Sequence, residues 1–224
     1  MYFVLFIAIA IISYVVQHSL QSKFKRYSKV PIGGLTGAEV AERMLHANGI
    51  YNVRITQVDG MLTDHYNPTN QTVNLSRDVY YGSSVAAAAV AAHECGHAIQ
   101  HATNYSFLQL RSNLVPAVNF ASNLLPWVLL GGILTLSVFP QLMLIGIILF
   151  AITTLFSFVT LPVEIDASRR AIAWLGSAGI TYGEQHEQAK DALRSAAYTY
   201  VVAALSSLAT LIYYIIIFTG RNEE

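Results

Sequence analysis

The sequence predicts a mainly α membrane protein: about four transmembrane helices plus a small polar α+β region with a short antiparallel sheet. Three observations carry that prediction. Of the 224 residues, 54% are hydrophobic and 12% charged, with a mean hydropathy of +0.46, whereas soluble domains carry about 25% charged residues. Four stretches approach or exceed the roughly 17–25 apolar residues that cross a bilayer as a helix. The polar residues gather in two blocks, one between the first and second stretches and one between the third and fourth. Zero net charge argues against a nucleic-acid partner. The single cysteine, Cys95, excludes an internal disulfide and fits a reducing side of the membrane.

Taken in order, residues 1–17 form an N-terminal transmembrane anchor. Its apolar run, residues 2–16, is short, with Met1 and Gln17 at the interface, and it lacks the basic start and small-residue cleavage site of a signal peptide. Residues 18–113 form the larger polar region. In "LTGAEVAERMLHANG", Thr36 caps a helix, Val40, Met44 and Leu45 form its apolar stripe, and Gly49 stops it. Val53, Ile55 and Val58 suggest a strand that Gly60 ends, and Asn67-Pro68 with Asn70 turns the chain between "LTDHYN" and "QTVNLS". The expected sheet is mostly antiparallel, with "QTVNLS" as an edge on which an extended peptide could add as a strand. Gly82-Ser83-Ser84 then starts a helix that runs from Ser84 to about Ala102.

Residues 114–162 read as a transmembrane hairpin, with spans at 115–139 and 141–161 and Pro140 at the turn between them. Pro162 is expected to end or kink the third span, so that 163–195 form separate helices outside the membrane. Residues 196–224 supply the last span, 196–219, and a tail. Lys23, Lys25, Arg26 and Lys29 follow the first span closely, Arg111 precedes the second, and Arg169, Arg170, Lys190 and Arg194 lie between the third and fourth. Only Arg221 lies beyond the last. The positive-inside rule therefore places both polar regions on the cytoplasmic side of a multi-pass cell-membrane protein, with both termini outside. Two crossings separate those regions, so they share one face of the membrane in any topology with these four spans.

The stretch "VAAAAVAAHECGHAIQH" sets H-E-x-x-H order into an alanine-rich helix. Alanine is the best helix former, and an apolar surround implies burial on nearly every side. Four residues apart on a helix, His93 and His97 point the same way and can hold one zinc ion. Glu94 is offset by about a hundred degrees, near enough to touch a metal-bound water without displacing it. The metal lowers the water's pKa, and the carboxylate acts as general base while the water attacks a polarised carbonyl. Chance matches to this pattern favour charge-rich surface helices, yet no other charged residue falls between Ser83 and Ala102. A buried, unpaired Glu94 would cost several kcal/mol, so it needs such a partner.

A catalytic zinc takes a third protein ligand and keeps one position open. "LPVEIDASRRAIAWLG" lies on the same membrane face and offers Glu164, an acidic residue at the membrane boundary that is costly unless used. The alternative reading of Glu164 is a first-turn glutamate favoured by the helix dipole.

"GMLTDHYNPTNQTVNLS", "AAHECGHAIQHA", "LPVEIDASRRA" and "AAYTYV" together resemble the YugP-type family of bacterial membrane zinc metallopeptidases, over nearly the whole chain. The resemblance implies a membrane-embedded, zincin-like endopeptidase of the gluzincin type binding one Zn2+, with His93, His97 and Glu164 as ligands and Glu94 as general base. The chain is more distantly similar to HtpX-like peptidases, which carry an aspartate four residues after the ligand glutamate. Ser168 stands at that place here, and Asp166, the nearest acidic residue, is expected to face another way.

Other polar residues are lesser candidates. His101 continues the His93–His97 row about 6 Å further along the helix, too far for the same ion, and reads as a supporting partner or an interfacial residue. His65 and Tyr66 are candidate donors to a developing oxyanion, or simply part of a self-capping turn from Asp64 to Pro68. Tyr200 and His186 are further candidate donors; their alternatives are an interfacial-belt tyrosine and a solvated loop histidine. Cys95 reads as a small buried residue turned away from both histidines. Asn119 and Asn123, four apart in the second span, are expected to face the interior of the helix bundle.

The expected function is zinc-dependent peptide-bond hydrolysis at the cytoplasmic membrane face. Its partners are a peptide or membrane-protein substrate and the lipid bilayer, with a homo-oligomer or a regulatory membrane partner compatible with the same sequence. Two other readings stand behind it. A site-2-type intramembrane protease would place the motif in a spanning helix, which would split the basic residues between two sides. A non-catalytic zinc-stabilised scaffold or chaperone would want a site closed by four protein ligands, often cysteines, and this chain has one cysteine.

Overall fold

The computed structural model describes residues 2–220, and the side chains of 4–220. Met1 and Arg221, which entered the topology argument, lie outside the described residues. The order of elements is α1 (Tyr2–Tyr27), α2 (Gly37–Ala47), β1 (Arg54–Val58), β2 (His65–Asn67), β3 (Thr72–Ser76), α3 (Arg77–Tyr80), α4 (Val85–Ala102), α5 (Ser106–Leu134), α6 (Pro140–Ser177) and α7 (Gly183–Gly220). The chain is mostly helical, and α1, α5, α6 and α7 are long and apolar enough to cross a membrane.

The polar region forms as its local signals dictate. Thr36 caps α2 through a reciprocal box: its hydroxyl accepts from the Glu39 N–H, and the Glu39 carboxylate accepts from the Thr36 N–H. Val40, Met44 and Leu45 are buried on one stripe of α2. Ser84 caps α4 by accepting from the Ala87 N–H, and every residue from Val85 to Ala92 is buried. This alanine segment is the hub of the core, packed on α2, α6 and α7.

The sheet has the three expected strands but not the expected pairing. Its order is β1-β3-β2; β2 runs antiparallel to β3, whereas β1 runs parallel to it along five residue pairs. "QTVNLS" is therefore the central strand and not an edge. All five residues of β3 are buried, and a strand so enclosed requires a neighbour on each side. β2 takes one side through the short turn at Pro68–Gln71, so β1 can only add on the other, in parallel.

The spanning helices also run further than hydropathy suggested. α1 extends past Gln17 to Tyr27, where Lys23 Nζ reaches Asp191 Oδ1 at 2.8 Å and the Tyr27 hydroxyl donates to Asp191 Oδ2 at 2.7 Å, docking it on α7. Pro162 does not end the helix: α6 continues through it to Ser177, so no separate helix starts at 163. Proline removes one backbone bond, and here the flanking turns are held by packing, with Val159 and Val163 buried. In the membrane, α5 packs along α6, α6 along α7 and α7 along α1, with Thr154 and Ser207 hydrogen-bonded between α6 and α7 at 2.7 Å. The four helices make a row, not a closed bundle. Asn119 and Asn123 consequently do not face a bundle interior: both are exposed on α5, which has a neighbour on one side only.

One contact fixes how the polar region meets this row. A Cβ on Gly96 of α4 would stand 2.6 Å from the carbonyl oxygen of Ala167 on α6, so only glycine permits the approach. Gly96→Ala should separate the two helices at an overpacking cost of about 1–3 kcal/mol. A lowered thermal midpoint in detergent is the expected readout. Gly33→Ala, at a position with open space around it, should leave the midpoint unchanged.

Candidate metal centre

The Gly96–Ala167 approach brings two short stretches into register. On α4, Gly96 lies between His93 and His97; on α6, Ala167 lies between Glu164 and Ser168. His93 Nε2 is 3.4 Å and His97 Nε2 3.6 Å from the same oxygen, Glu164 Oε2. The ligand atoms of all three side chains lie within 4.8 Å of one another. Glu164 is 3% exposed, and Oε2 is a buried oxygen without a hydrogen-bond partner.

That orphaned oxygen tests whether the residues fit a metal ion. A buried carboxylate oxygen left unpaired is expensive, and two imidazole nitrogens face it without hydrogen-bond geometry. Donors on one tetrahedral zinc ion, at bonds of about 2.0–2.2 Å, stand roughly 3.3–3.6 Å apart. The separations of Glu164 from the two histidines match that value closely. Two imidazoles and one carboxylate are also a donor set that suits zinc and leaves a fourth position open. The residues fit.

The outer nitrogens of the histidines are held in the matching tautomer. Gln100 Nε2 donates to the Val163 carbonyl at 2.7 Å and to Asp166 Oδ2 at 3.0 Å. Its Oε1 must therefore accept the proton from His97 Nδ1, 3.0 Å away, which leaves the Nε2 lone pair free. Burial disfavours a charged His97, but the facing Glu164 carboxylate outweighs it and raises the pKa. His93 Nδ1 lies 3.1 Å from the Ser168 hydroxyl, so Ser168 orients this imidazole from behind. Asp166 does not reach His93. It acts on His97 through Gln100, and Arg169 Nη2 and Arg170 Nε each donate to it at 2.6 Å.

Glu94 is 8% exposed, and its Oε2 accepts from the Tyr66 N–H at 3.0 Å. The donor is β2, the true edge of the sheet on this side. Asp64 anchors the approach to β2 by accepting from the Ser76 N–H and hydroxyl at 2.7 and 3.0 Å. Burial nevertheless pushes the Asp64 carboxyl up. A cavity of about 580 Å³ opens over the cluster, lined by β2, α4, α5, Glu164 and Tyr200.

The lesser candidates separate clearly. The Tyr66 hydroxyl and His101 Nδ1 pair with each other at 3.1 Å. Both ring nitrogens of His65 are engaged, with the Thr63 carbonyl at 2.7 Å and the Asn74 amide at 3.2 Å. His186 is not in the cavity: it bonds Thr181 at 3.0 Å and packs on Gly176. It occupies the first turn of α7, about 21 Å of helix rise from Tyr200. Tyr200 lines the cavity beside Glu164. Cys95 points the other way, toward the Ala41 carbonyl, and burial pushes its thiol well up.

Two residues of the centre were not among the site candidates the sequence offered, Arg111 having entered only as a topology marker. Arg111 Nη1 donates to Glu164 Oε1 at 3.3 Å, leaving Oε2 to face the histidines. Gln100 is fully buried. The available signals were a lone cation at the end of an apolar span and an amide set between two histidines of the same helix. Gln100→Leu keeps the volume but releases His97, and zinc affinity in a chelator competition should fall by about 10–100-fold.

A protein family described as "Putative neutral zinc metallopeptidase" matches this chain over residues 2–219. The chain is 46% identical over 215 residues to "Putative membrane protease YugP" of Bacillus subtilis (strain 168), an alignment covering 95% of each chain. No solved structure matches it.

Proposed function

We propose, from the premise that this chain belongs to the YugP-type family of neutral zinc metallopeptidases, that it is a membrane-embedded endopeptidase of the gluzincin type. The observation that carries this reading is the orphaned Glu164 Oε2 facing the Nε2 atoms of His93 and His97, with Glu94 beside them in the same cavity.

His93, His97 and Glu164 would hold the ion. A zinc ion bound there supplies Lewis acidity toward a carbonyl oxygen and lowers the pKa of water. The chain's own groups do the rest. Glu94 is held by the Tyr66 N–H at Oε2, so Oε1 takes the proton from the attacking water and returns it to the leaving amine. Tyr200, which lines the cavity beside Glu164, offers its hydroxyl to the developing oxyanion. Arg111 balances the Glu164 charge from the side away from the histidines. β2 is the sheet edge along which an extended substrate pairs. The cavity opens at the cytoplasmic face, and the termini lie outside. The basic residues that follow α1 and those between the third and fourth spans support that orientation.

Glu94→Gln should retain zinc and lose cleavage of a mixed peptide library by about 10²–10⁴-fold, whereas Glu164→Gln should lose both. Equal cleavage by wild type and Glu94→Gln would overturn the mechanism. Sidedness is tested with Met61→Cys, because Met61 is 82% exposed while Cys95 is buried. A membrane-impermeant maleimide should label it in inverted vesicles and not in intact cells.

A further inference from the structure

The second span carries polar groups where a membrane offers them no partner. Asn119 and Asn123 lie near the middle of α5, are exposed, and make no hydrogen bond among the described residues. Pro116 and Pro126 lie inside the same helix and lack the N–H groups that would bond the carbonyls of Ser112 and Ser122. Unsatisfied amides and carbonyls are far costlier in hydrocarbon than in water. Around the asparagines, Phe120, Leu124, Trp127 and Leu130 present the apolar surface that lipid requires.

The polar groups also have a direction. Ser112, Asn119 and Asn123 are separated by seven and four residues, so they fall within about 20° of one line along the helix. Ser112 lines the cavity over the metal centre. From it the line descends about 10 Å to Asn119 and about 16 Å to Asn123. It lies on a helix that packs along α6 and makes no substantial contact with α7 or α1.

We infer that this strip of α5 is the docking track for a transmembrane helix of the substrate, so that the enzyme acts on membrane-anchored polypeptides. The inference deepens the peptidase reading and rests on it for what happens in the cavity. The occupant is an apolar spanning helix with a small or hydroxyl-bearing residue, glycine, serine or threonine, at the depth of the two asparagines. Such a residue lets the helices approach and satisfies the amides. Docked there, the helix delivers its flanking extended segment to β2 and the cavity. A second copy of this chain on the same strip would instead cover the cavity mouth that a substrate must use.

The test reads docking without catalysis. The full-length protein is labelled with a donor fluorophore and reconstituted in liposomes with an acceptor-labelled probe, a 21-residue leucine–alanine helix with one serine about six residues from its end, the depth of the two asparagines. Wild type should show saturable energy transfer. Asn119→Leu with Asn123→Leu should weaken it at least tenfold, and Asn119→Ala with Asn123→Ala should do the same if the leucines perturb folding. Replacing the probe's serine by leucine should weaken transfer to wild type equally, with no further loss in the double variant. Transfer that is absent, or insensitive to these changes, overturns the inference. So does transfer between two labelled copies of the protein that the double variant abolishes, since the strip is then a self-association surface. Cleavage of soluble peptides by wild type but not by Glu94→Gln is read separately, so peptidase activity and docking fail independently.

Discussion

The approach of α4 to α6 at Gly96 and Ala167 is the constraint on which the rest of the structure depends. A backbone carbonyl of one helix occupies the space where the other would carry a Cβ. No flexible side chain lies between the two helices there, so their register is fixed to a fraction of a residue. The alanine run serves the same end. The small side chains of Ala86 to Ala89, Ala91 and Ala92 let α2, α6 and α7 close around α4. The centre is rigid because its two supporting helices touch almost at the backbone.

Within that frame, the polar groups show how a dry interior tolerates two carboxylates. Glu164 divides its oxygens, one toward the Arg111 guanidinium and one toward two imidazoles. Glu94 is satisfied by a main-chain N–H from the edge of the sheet. Each imidazole is oriented from behind, His97 by Gln100 and His93 by Ser168. Removing any one of these partners leaves a buried group unpaired, which is why such networks act as units.

The position of the centre at the end of a row of helices ties the chemistry to the membrane. Glu164 and Tyr200 belong to the helices α6 and α7, which also form the spans, and the cavity lies above the gap between α5 and α7. A row leaves that gap open where a closed bundle would fill it. The asparagines of α5 face the same open side, so the arrangement of spans and the reach of the site have a common cause.

The apolar spans, the capped helices and the face shared by His93 and His97 could all be read from the chain. Each depends on groups within one or two turns of one another, where hydropathy and the 3.6-residue period are sufficient. Glu164 could be reached from the requirement for a third ligand on the same membrane face. The parallel pairing of β1, the continuity of α6 through Pro162, the distance of His186, the outward direction of Asn119 and Asn123, and the roles of Gln100 and Arg111 could not. Each depends on which element packs beside which, and local sequence carries no record of that choice. Only the tertiary structure decides it, because the energy of burying a strand, satisfying an amide or leaving one facing lipid is set by neighbours tens of residues away.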